Sequence, residues 1–389
     1  MTKKITIAID AMGGENAPTK NIEGLNLFLK NNSAKNDFLI LLYGNKNILD
    51  KELSNLNIIS DKVKIIHTEG VVSDEETPLT AIKNSKNTSM WNSVKAQIDD
   101  EADISLSAGN TGVLLVISRM ILKTIKEVSK PALAGLWPSK KGMSVVLDLG
   151  ANIECDEKNL IDFSEMGAAL YKSIFPEIKP RVSLLNIGSE EIKGTEVLKK
   201  TFIKLKQLSN DNNFIFNGYI EGNKLMDGES NVIVTDGFTG NIALKTAEGT
   251  AKFIIDSLKQ SLTENLYTKM SLIFSYFSLK KFKSKLDPRK YNGAIFLGLN
   301  GPVVKSHGGT DSIGFSKAYS IGVVDNFIEI LMRSIKKKET NIKNFGIFKI
   351  IKKKERIGRN PKNKESFIID ARNSISFIMS KTLKNLINS

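Results

Sequence analysis

Cysteine is nearly missing from this 389-residue chain: Cys155 is the only one, which excludes an intramolecular disulfide and with it the small secreted domains held together by staples. Histidine is almost as scarce, so imidazole chemistry has two places to occur, His67 and His307. No apolar run approaches the roughly 20 residues that cross a bilayer. The opening MTKKITIAIDAMGG reaches an aspartate and two glycines before an apolar signal core could form. We therefore expect a cytoplasmic protein whose contact with membrane, where there is any, is peripheral.

Charge is plentiful but uneven. The net charge is +14, and Arg333 to Ser389 alone holds 16 Lys+Arg against 4 Asp+Glu, leaving 40 against 38 for the residues before it. The excess is a property of the tail. It says little about the first 332 residues, whose near-neutral balance and apolar content suit a globular enzyme core.

The organising feature of that core is a recurring unit: a short β-branched run, a turn of small or carboxylate-bearing residues, then a helical stretch. ITIAI leads into Asp10-Ala-Met-Gly13-Gly14, DISLS into Ala108-Gly-Asn110-Thr111-Gly, and SVVLDL into Gly150-Ala-Asn152. VSLLNIG runs into SEEIKG, and VIVT into Asp236-Gly-Phe-Thr239-Gly-Asn241. Strands apolar on both faces, alternating with helices, predict a mostly parallel, doubly wound α/β sheet with every turn at the strands' carboxyl edge. Small residues let backbone N–H groups approach an anion, and helix N-termini add positive potential, so phosphate or a phosphate-like group is the expected ligand. AMGGENAP fits neither the dinucleotide nor the P-loop spacing, and no cofactor or metal is assigned.

Six stretches together resemble the bacterial phosphate acyltransferase family, PlsX: IAIDAMGG at 7–14, SAGNTG at 107–112, VVLDLGAN at 145–152, LLNIGSEEIKG at 184–194, DGFTGNIALK at 236–245 and YNGAIFLGLNGPVVKSHG at 291–308. They occur in the family's order over about 320 residues. Two departures are mild: Glu15 stands where the family has Asp, and Thr88-Ser89 where it has two serines. The resemblance implies an isopropylmalate dehydrogenase-like or phosphotransacetylase-like fold over residues 1–322 and a homodimer like other enzymes of the fold. It implies transfer of an acyl chain from acyl carrier protein to inorganic phosphate, with acyl phosphate passed to a membrane glycerol-phosphate acyltransferase.

The residues can be set against that chemistry. Phosphate is already a nucleophile, so the site needs a clamp, oxyanion donors and a proton for the leaving thiolate rather than a covalent serine or cysteine. Lys193, Lys245 and Lys305 follow the turns and either neutralise phosphate or are solvated. Asp10 and Asp236, like Asp148, end strands, where they order the site or cap the next helix. With Gly13, Gly14, Asn110, Thr111, Asn152 and Thr239 they form the expected phosphate and substrate set; His307, Lys305 and Asn241 are the catalytic candidates. Cys155 reads as a small core residue.

Between DGFTGN and YNGA, Leu262, Leu266, Met270, Ile273 and Phe277 recur at helical spacing, followed by Lys280, Lys281, Lys283 and Lys285. That pattern suits the surface of an anionic bilayer, or a core or dimer-contact helix. The tail, 323–389, resembles the later part of an integration host factor or HU subunit, a small α+β segment: NFGIF, then ERIGRNPK, then a returning strand and the helix SKTLKNLI. The resemblance places Pro361 at the tip of an arm that bends DNA, with Arg356, Arg359, Lys362 and Lys364 as its contacts. Asn363-Lys364 replaces the family's Thr-Gly, and the family's first helix has no counterpart before Val324, so a truncated module is expected. Two other functions compete: a DNA-bending protein acting through the arm, and a phosphotransacetylase-like enzyme using coenzyme A. An isopropylmalate-type dehydrogenase would need a nucleotide fingerprint that is not visible.

Overall fold

A computed structural model describes residues 5–32, 38–58, 61–73, 85–208, 214–264, 275–282, 292–323, 339–342, 346–353, 356–359, 366–369 and 372–379, with positions 76, 80, 83 and 287. The chain divides into two units, Met1–Phe327 and Ile328–Ser389.

In the first unit the order is β1 (Ile5–Asp10), α1 (Thr19–Asn31), β2 (Phe38–Gly44), α2 (Lys46–Asn55), β3 (Val63–His67), α3 (Ser89–Lys95), β4 (Ile104–Ser107) and α4 (Thr111–Leu122). A hairpin of β5 (Ala132–Ser139) and β6 (Gly142–Leu147) follows, then α5 (Glu157–Ile174), β7 (Arg181–Leu185), α6 (Glu196–Leu208), β8 (Ile215–Ile220), β9 (Val232–Val234) and the long α7 (Gly237–Thr263). A helical stretch at 275–282, α8, precedes a second hairpin, β10 (Ala294–Leu297) with β11 (Val303–Lys305), and α9 (Ser312–Val323).

These strands form one 11-stranded sheet in the order β3-β2-β1-β4-β11-β10-β5-β6-β9-β7-β8. Most neighbours are parallel, as the buried β-branched runs predict. The last four residues of β1 and all of β4 are buried. The helices are started by side chains that the strand-to-helix turns supply. Asn110 Oδ1 accepts from Val113 N–H at 3.1 Å to begin α4, and Asp156 and Asn159 form a reciprocal capping box on α5.

One expectation fails. The carboxyl ends of the strands do not share an edge, because β10 runs antiparallel to both β11 and β5, and β5 antiparallel to β6. Three reversals turn β6, β9, β7 and β8 against β1, β4 and β11. Asp10, Ser107 and Lys305 therefore end at one edge, and Leu147, Leu185 and Val234 at the other. Strands buried on both faces carry the same apolar signal whichever way they run, so only the two hairpins record the reversal.

An apolar cluster lies between sheet and helices, and Val113, Leu114, Val146, Ile233, Phe296 and Val303 are among its buried members. On the other flank, α9 is sewn to α1: Tyr319 stacks on Phe28 at 5.2 Å, and Phe315 meets Tyr319 edge-on at 5.3 Å. Of the expected amphipathic arm, Leu266, Met270, Ile273, Lys283 and Lys285 fall outside the described residues. Within α8, Tyr276 and Phe277 are 56% and 82% exposed. Among the described residues no helix is long and apolar enough to cross a membrane.

The second unit has a three-stranded antiparallel sheet of β12 (Glu339–Ile342), β13 (Gly346–Lys353) and β16 (Arg372–Met379). A separate antiparallel pair, β14 (Arg356–Arg359) and β15 (Ser366–Ile369), sets Arg356 opposite Ile369 and Arg359 opposite Ser366. The connection between these two strands holds Pro361, Lys362 and Lys364, which lie outside the described residues, as does the expected final helix after Met379.

Candidate active site

At the first edge, three chain segments meet on the carboxylate of Asp10, which is 1% exposed. It accepts from Ser89 Oγ at 2.6 Å and Ser107 Oγ at 2.7 Å, and Ser107 Oγ accepts in turn from Gly109 N–H at 3.1 Å. Burial pushes the Asp10 carboxyl above its ordinary range, while the two serines, Met12 N–H and the Lys305 charge oppose the rise. Gly13 is required here: a Cβ on it would stand 2.4 Å from Asp10 Oδ2 and 2.9 Å from Gly109 N.

Lys305, also buried, donates to the carbonyls of Ala108 at 3.2 Å and Ser306 at 2.5 Å. Its ammonium thus ties the β4 turn to the loop after β11. That loop is gripped from α1 and from the turn before it as well, since Lys20 Nζ donates to Gly308 O at 2.5 Å and Glu15 N–H to the same oxygen at 3.3 Å. Asn292 fixes it from below: its Nδ2 donates to Ser306 Oγ at 2.9 Å and its Oδ1 accepts from His307 N–H at 3.0 Å. Thr111 opens α4 directly beside the Gly109-Asn110 turn.

At the second edge Asp148, fully buried, collects backbone N–H groups. Its Oδ1 accepts from Leu133 and Ala151 at 3.0 Å and Gly150 at 3.3 Å; its Oδ2 accepts from Asn152 N and Nδ2, both at 2.7 Å. Burial raises this carboxyl too, against those donors. Asp236 caps α7, with Oδ1 accepting from Thr239 N at 2.8 Å and Oδ2 from Thr239 Oγ1 at 3.0 Å. Gly237 N–H donates to Asn152 O at 2.7 Å, and Asn241 rests against Gly150. Cys155 lies behind this turn; burial first, then the Asp148 charge, pushes its thiol up to about 12, which suits a packed residue and not a nucleophile.

The first turns of α7 join the two edges. The helix leaves β9 at the second edge and runs back along the sheet, so Asn241, four residues before Lys245, faces Gly150, while Lys245 Nζ reaches His307 Nε2 at 2.7 Å. Ala243, Leu244 and Ala247 turn to the core between them. Burial, then Lys245 and then Lys305, hold the His307 ring below its ordinary pKa of 6.5 against the pull of Glu248 and Glu15, so it is neutral at physiological pH. Asp10, Gly13, Gly14, Asn110, Thr111, Lys305 and His307 thus gather at the first edge, and Asn152, Asp236, Thr239 and Asn241 at the second. Lys193 stands apart: its ammonium is exposed and paired with Glu190 at 2.7 Å. Lys20, Ser107, Asn292 and Ser306 join the site without having been singled out by sequence. Asn292 lies in the quoted YNGA stretch and Ser107 opens SAGNTG, but nothing in their spacing marks the partners they meet.

The architecture is that of the phosphotransacetylases. Phosphotransacetylases from Streptococcus pyogenes and Staphylococcus aureus superpose with TM-scores of 0.53 and 0.52 at 15% and 14% identity, covering 85% and 82% of this chain and 93% of each of theirs. Residues 5–325 match the family model described as Fatty acid synthesis protein, and residues 310–388 the one described as Bacterial DNA-binding protein. A phosphate acyltransferase of Pelagibacter ubique is 54% identical over 338 residues, 86% of this chain and the whole of that protein. One of Parvibaculum lavamentivorans is 41% identical over 83% of this chain and 88% of its own length. The chain belongs to the phosphate acyltransferase family and is an acyltransferase enzyme. The second match begins at residue 310 and so takes in α9.

Proposed function

We propose that the enzyme transfers an acyl group from the thioester of acyl carrier protein to inorganic phosphate, giving acyl phosphate and free carrier protein for phospholipid synthesis. The observation that carries this reading is the reach of α7 from Asn241 at the Gly150 turn to Lys245 at His307. A phosphate held by the Lys245 ammonium and by the backbone N–H groups of Asn110 and Thr111 at the start of α4 has its hydroxyl within reach of the His307 ring. Attack of a phosphate oxygen on the thioester carbon forms the C–O bond and breaks the C–S bond. The phosphate proton passes to His307 and from it to the departing thiolate, so two negative charges enter on hydrogen phosphate and two leave on acyl phosphate. The Asn241 amide is the donor placed for the carbonyl oxygen as it gains charge. Asp10 and Lys305 act through the loops they hold, and Asp148 and Asp236 through the second edge. None of these three carboxylates needs to touch phosphate.

Purified enzyme should release the thiol of acyl carrier protein only when phosphate is present, with one hydroxylamine-trapped acyl group per thiol. Thiol release independent of phosphate, or none, would overturn the reading; equal turnover of an acyl-coenzyme A would favour the phosphotransacetylase alternative. The exposed Phe253, Tyr276 and Phe277 of α7 and α8 support peripheral contact with a membrane, where a glycerol-phosphate acyltransferase would take the product, and the same exposed helix supports a homodimer.

For the second unit we infer DNA binding, favoured by the match over 310–388 and by the β14–β15 pair whose connection contains Pro361. Arg356, Arg359 and Lys362 are its proposed contacts. Deleting residues 333–389 should abolish salt-sensitive binding of a duplex and leave thiol release intact; unchanged duplex binding would refute the assignment.

A further inference from the structure

Glu248 has no part in the scheme above, yet it continues the stripe of α7 that carries Asn241 and Lys245, three residues beyond the lysine. Lys245 Nζ stands between two partners, 2.9 Å from Glu248 Oε2 and 2.7 Å from His307 Nε2. The backbone N–H of the histidine is fixed on Asn292 Oδ1 at 3.0 Å, and with the lysine ammonium at Nε2 the neutral ring carries its proton on Nδ1, 3.2 Å from Gly309 N. A lysine that is half exposed has many rotamers open to it, and here a carboxylate one turn along holds it on the ring.

We propose that Glu248 is a positioning residue for acyl transfer, holding the Lys245 ammonium at His307 Nε2 so that phosphate arriving at the lysine meets the ring as its proton acceptor. The inference rests on the reading of His307 as the proton carrier. An ammonium at Nε2 disfavours a proton there, and when the phosphate dianion draws that ammonium to itself, Nε2 is left facing the phosphate hydroxyl. No other step changes: the proton still leaves phosphate for His307 and ends on the thiolate.

The charges facing the ring are Lys245 and Lys305, which oppose its protonation, and Glu248 and Glu15, which favour it. Replacing Glu248 by glutamine removes one of the favouring charges while keeping an acceptor for the lysine, so the ring becomes harder to protonate. Through Nζ the path from carboxylate to ring is the sum of 2.9 and 2.7 Å, which bounds their separation, and in a largely aqueous dielectric the loss at that distance is worth about half a pH unit.

The test is the pH dependence of kcat for thiol release by full-length enzyme, with acyl carrier protein thioester and inorganic phosphate as substrates. Glu248→Ala should lower the plateau about tenfold by freeing Lys245. Glu248→Gln should recover most of that loss and move the acid limb about half a unit lower. If His307→Gln is inactive but both Glu248 variants keep the wild-type plateau and acid limb, this inference falls while the proton-carrier reading stands. If His307→Gln turns over at the wild-type rate, the proton-carrier reading falls and takes the inference with it.

Discussion

Gly240 is where the helix that joins the two edges comes closest to the sheet, and replacing it by alanine tests whether that contact sets the site. A Cβ at this position would stand 1.9 Å from the carbonyl oxygen of Asp148 and 3.0 Å from its carbon. The obstacle is backbone, at the residue whose carboxylate already holds the Gly150–Asn152 turn, so it has little freedom to yield. Restoring even a 3.0 Å approach moves the start of α7 away by at least about 1 Å. Overpacking of this kind costs about 1–3 kcal/mol, offset in part by the gain of about 0.5–1 kcal/mol when alanine replaces glycine in a helix. In a unit of this size about 1 kcal/mol shifts Tm by about 1.5 °C, so the net loss should lower Tm by up to about 4 °C. Catalysis should suffer more than stability, because Asn241 and Lys245 ride on the displaced turns, and a misplacement of about 1 Å can cost about 100-fold. Gly249 supplies the control on the same helix, since a Cβ there meets nothing within 4 Å and alanine should be neutral or slightly stabilising. Thermal unfolding and phosphate-dependent thiol release, measured for both variants, decide the matter. A Gly240→Ala enzyme with wild-type kcat would refute the view that this close approach positions Asn241 and Lys245.

How much of this was legible in the sequence follows from what each feature depends on. The turns were legible because their signal is local: DAMGG, SAGNTG and DGFTGN are small-residue runs after apolar strands, and Gly13 and Gly240 are small because a Cβ would strike the Asp10 carboxylate and the Asp148 carbonyl. The strands were legible for the same reason. Their direction was not, since β6 and β9 read like β1 and β4 and the reversal depends on two hairpins. The roles of the aspartates split for a reason no spacing records: Asp236 caps its own helix three residues on, whereas Asp10 is met by Ser89 and Ser107 from 79 and 97 residues away. Lys193 looked like Lys245 in the sequence, each following a turn, but Glu190 lies one turn before it and no histidine lies opposite. The pairing of Lys245 with His307 spans 62 residues and exists only because α7 crosses from one edge of the sheet to the other.

Three further outcomes follow from the buried groups. Cys155→Ser should retain kcat within about twofold, and the native thiol should resist maleimide at pH 8, because burial and Asp148 hold it protonated. Asp236→Ala removes the acceptor for Thr239 N–H and should cost about 1 kcal/mol of stability by thermal unfolding, with a larger loss in kcat than Tm alone accounts for. Asp10→Asn probes a carboxyl whose burial raises its pKa above the ordinary 3.8. Below pH 3.8 the folded and unfolded chains both hold this proton. As pH rises through that value the unfolded chain releases its proton first, so ionisation at Asp10 favours unfolding until the folded pKa is passed. The stability of the wild type relative to Asp10→Asn should therefore fall as pH rises from about 4 and level off once the folded carboxyl ionises. Urea unfolding of both proteins at a series of pH values measures the difference. A wild type that gains stability over the variant with rising pH would mean that the Lys305 charge and the hydroxyls of Ser89 and Ser107 outweigh burial, and that Asp10 is held as a carboxylate more firmly in the fold than in water.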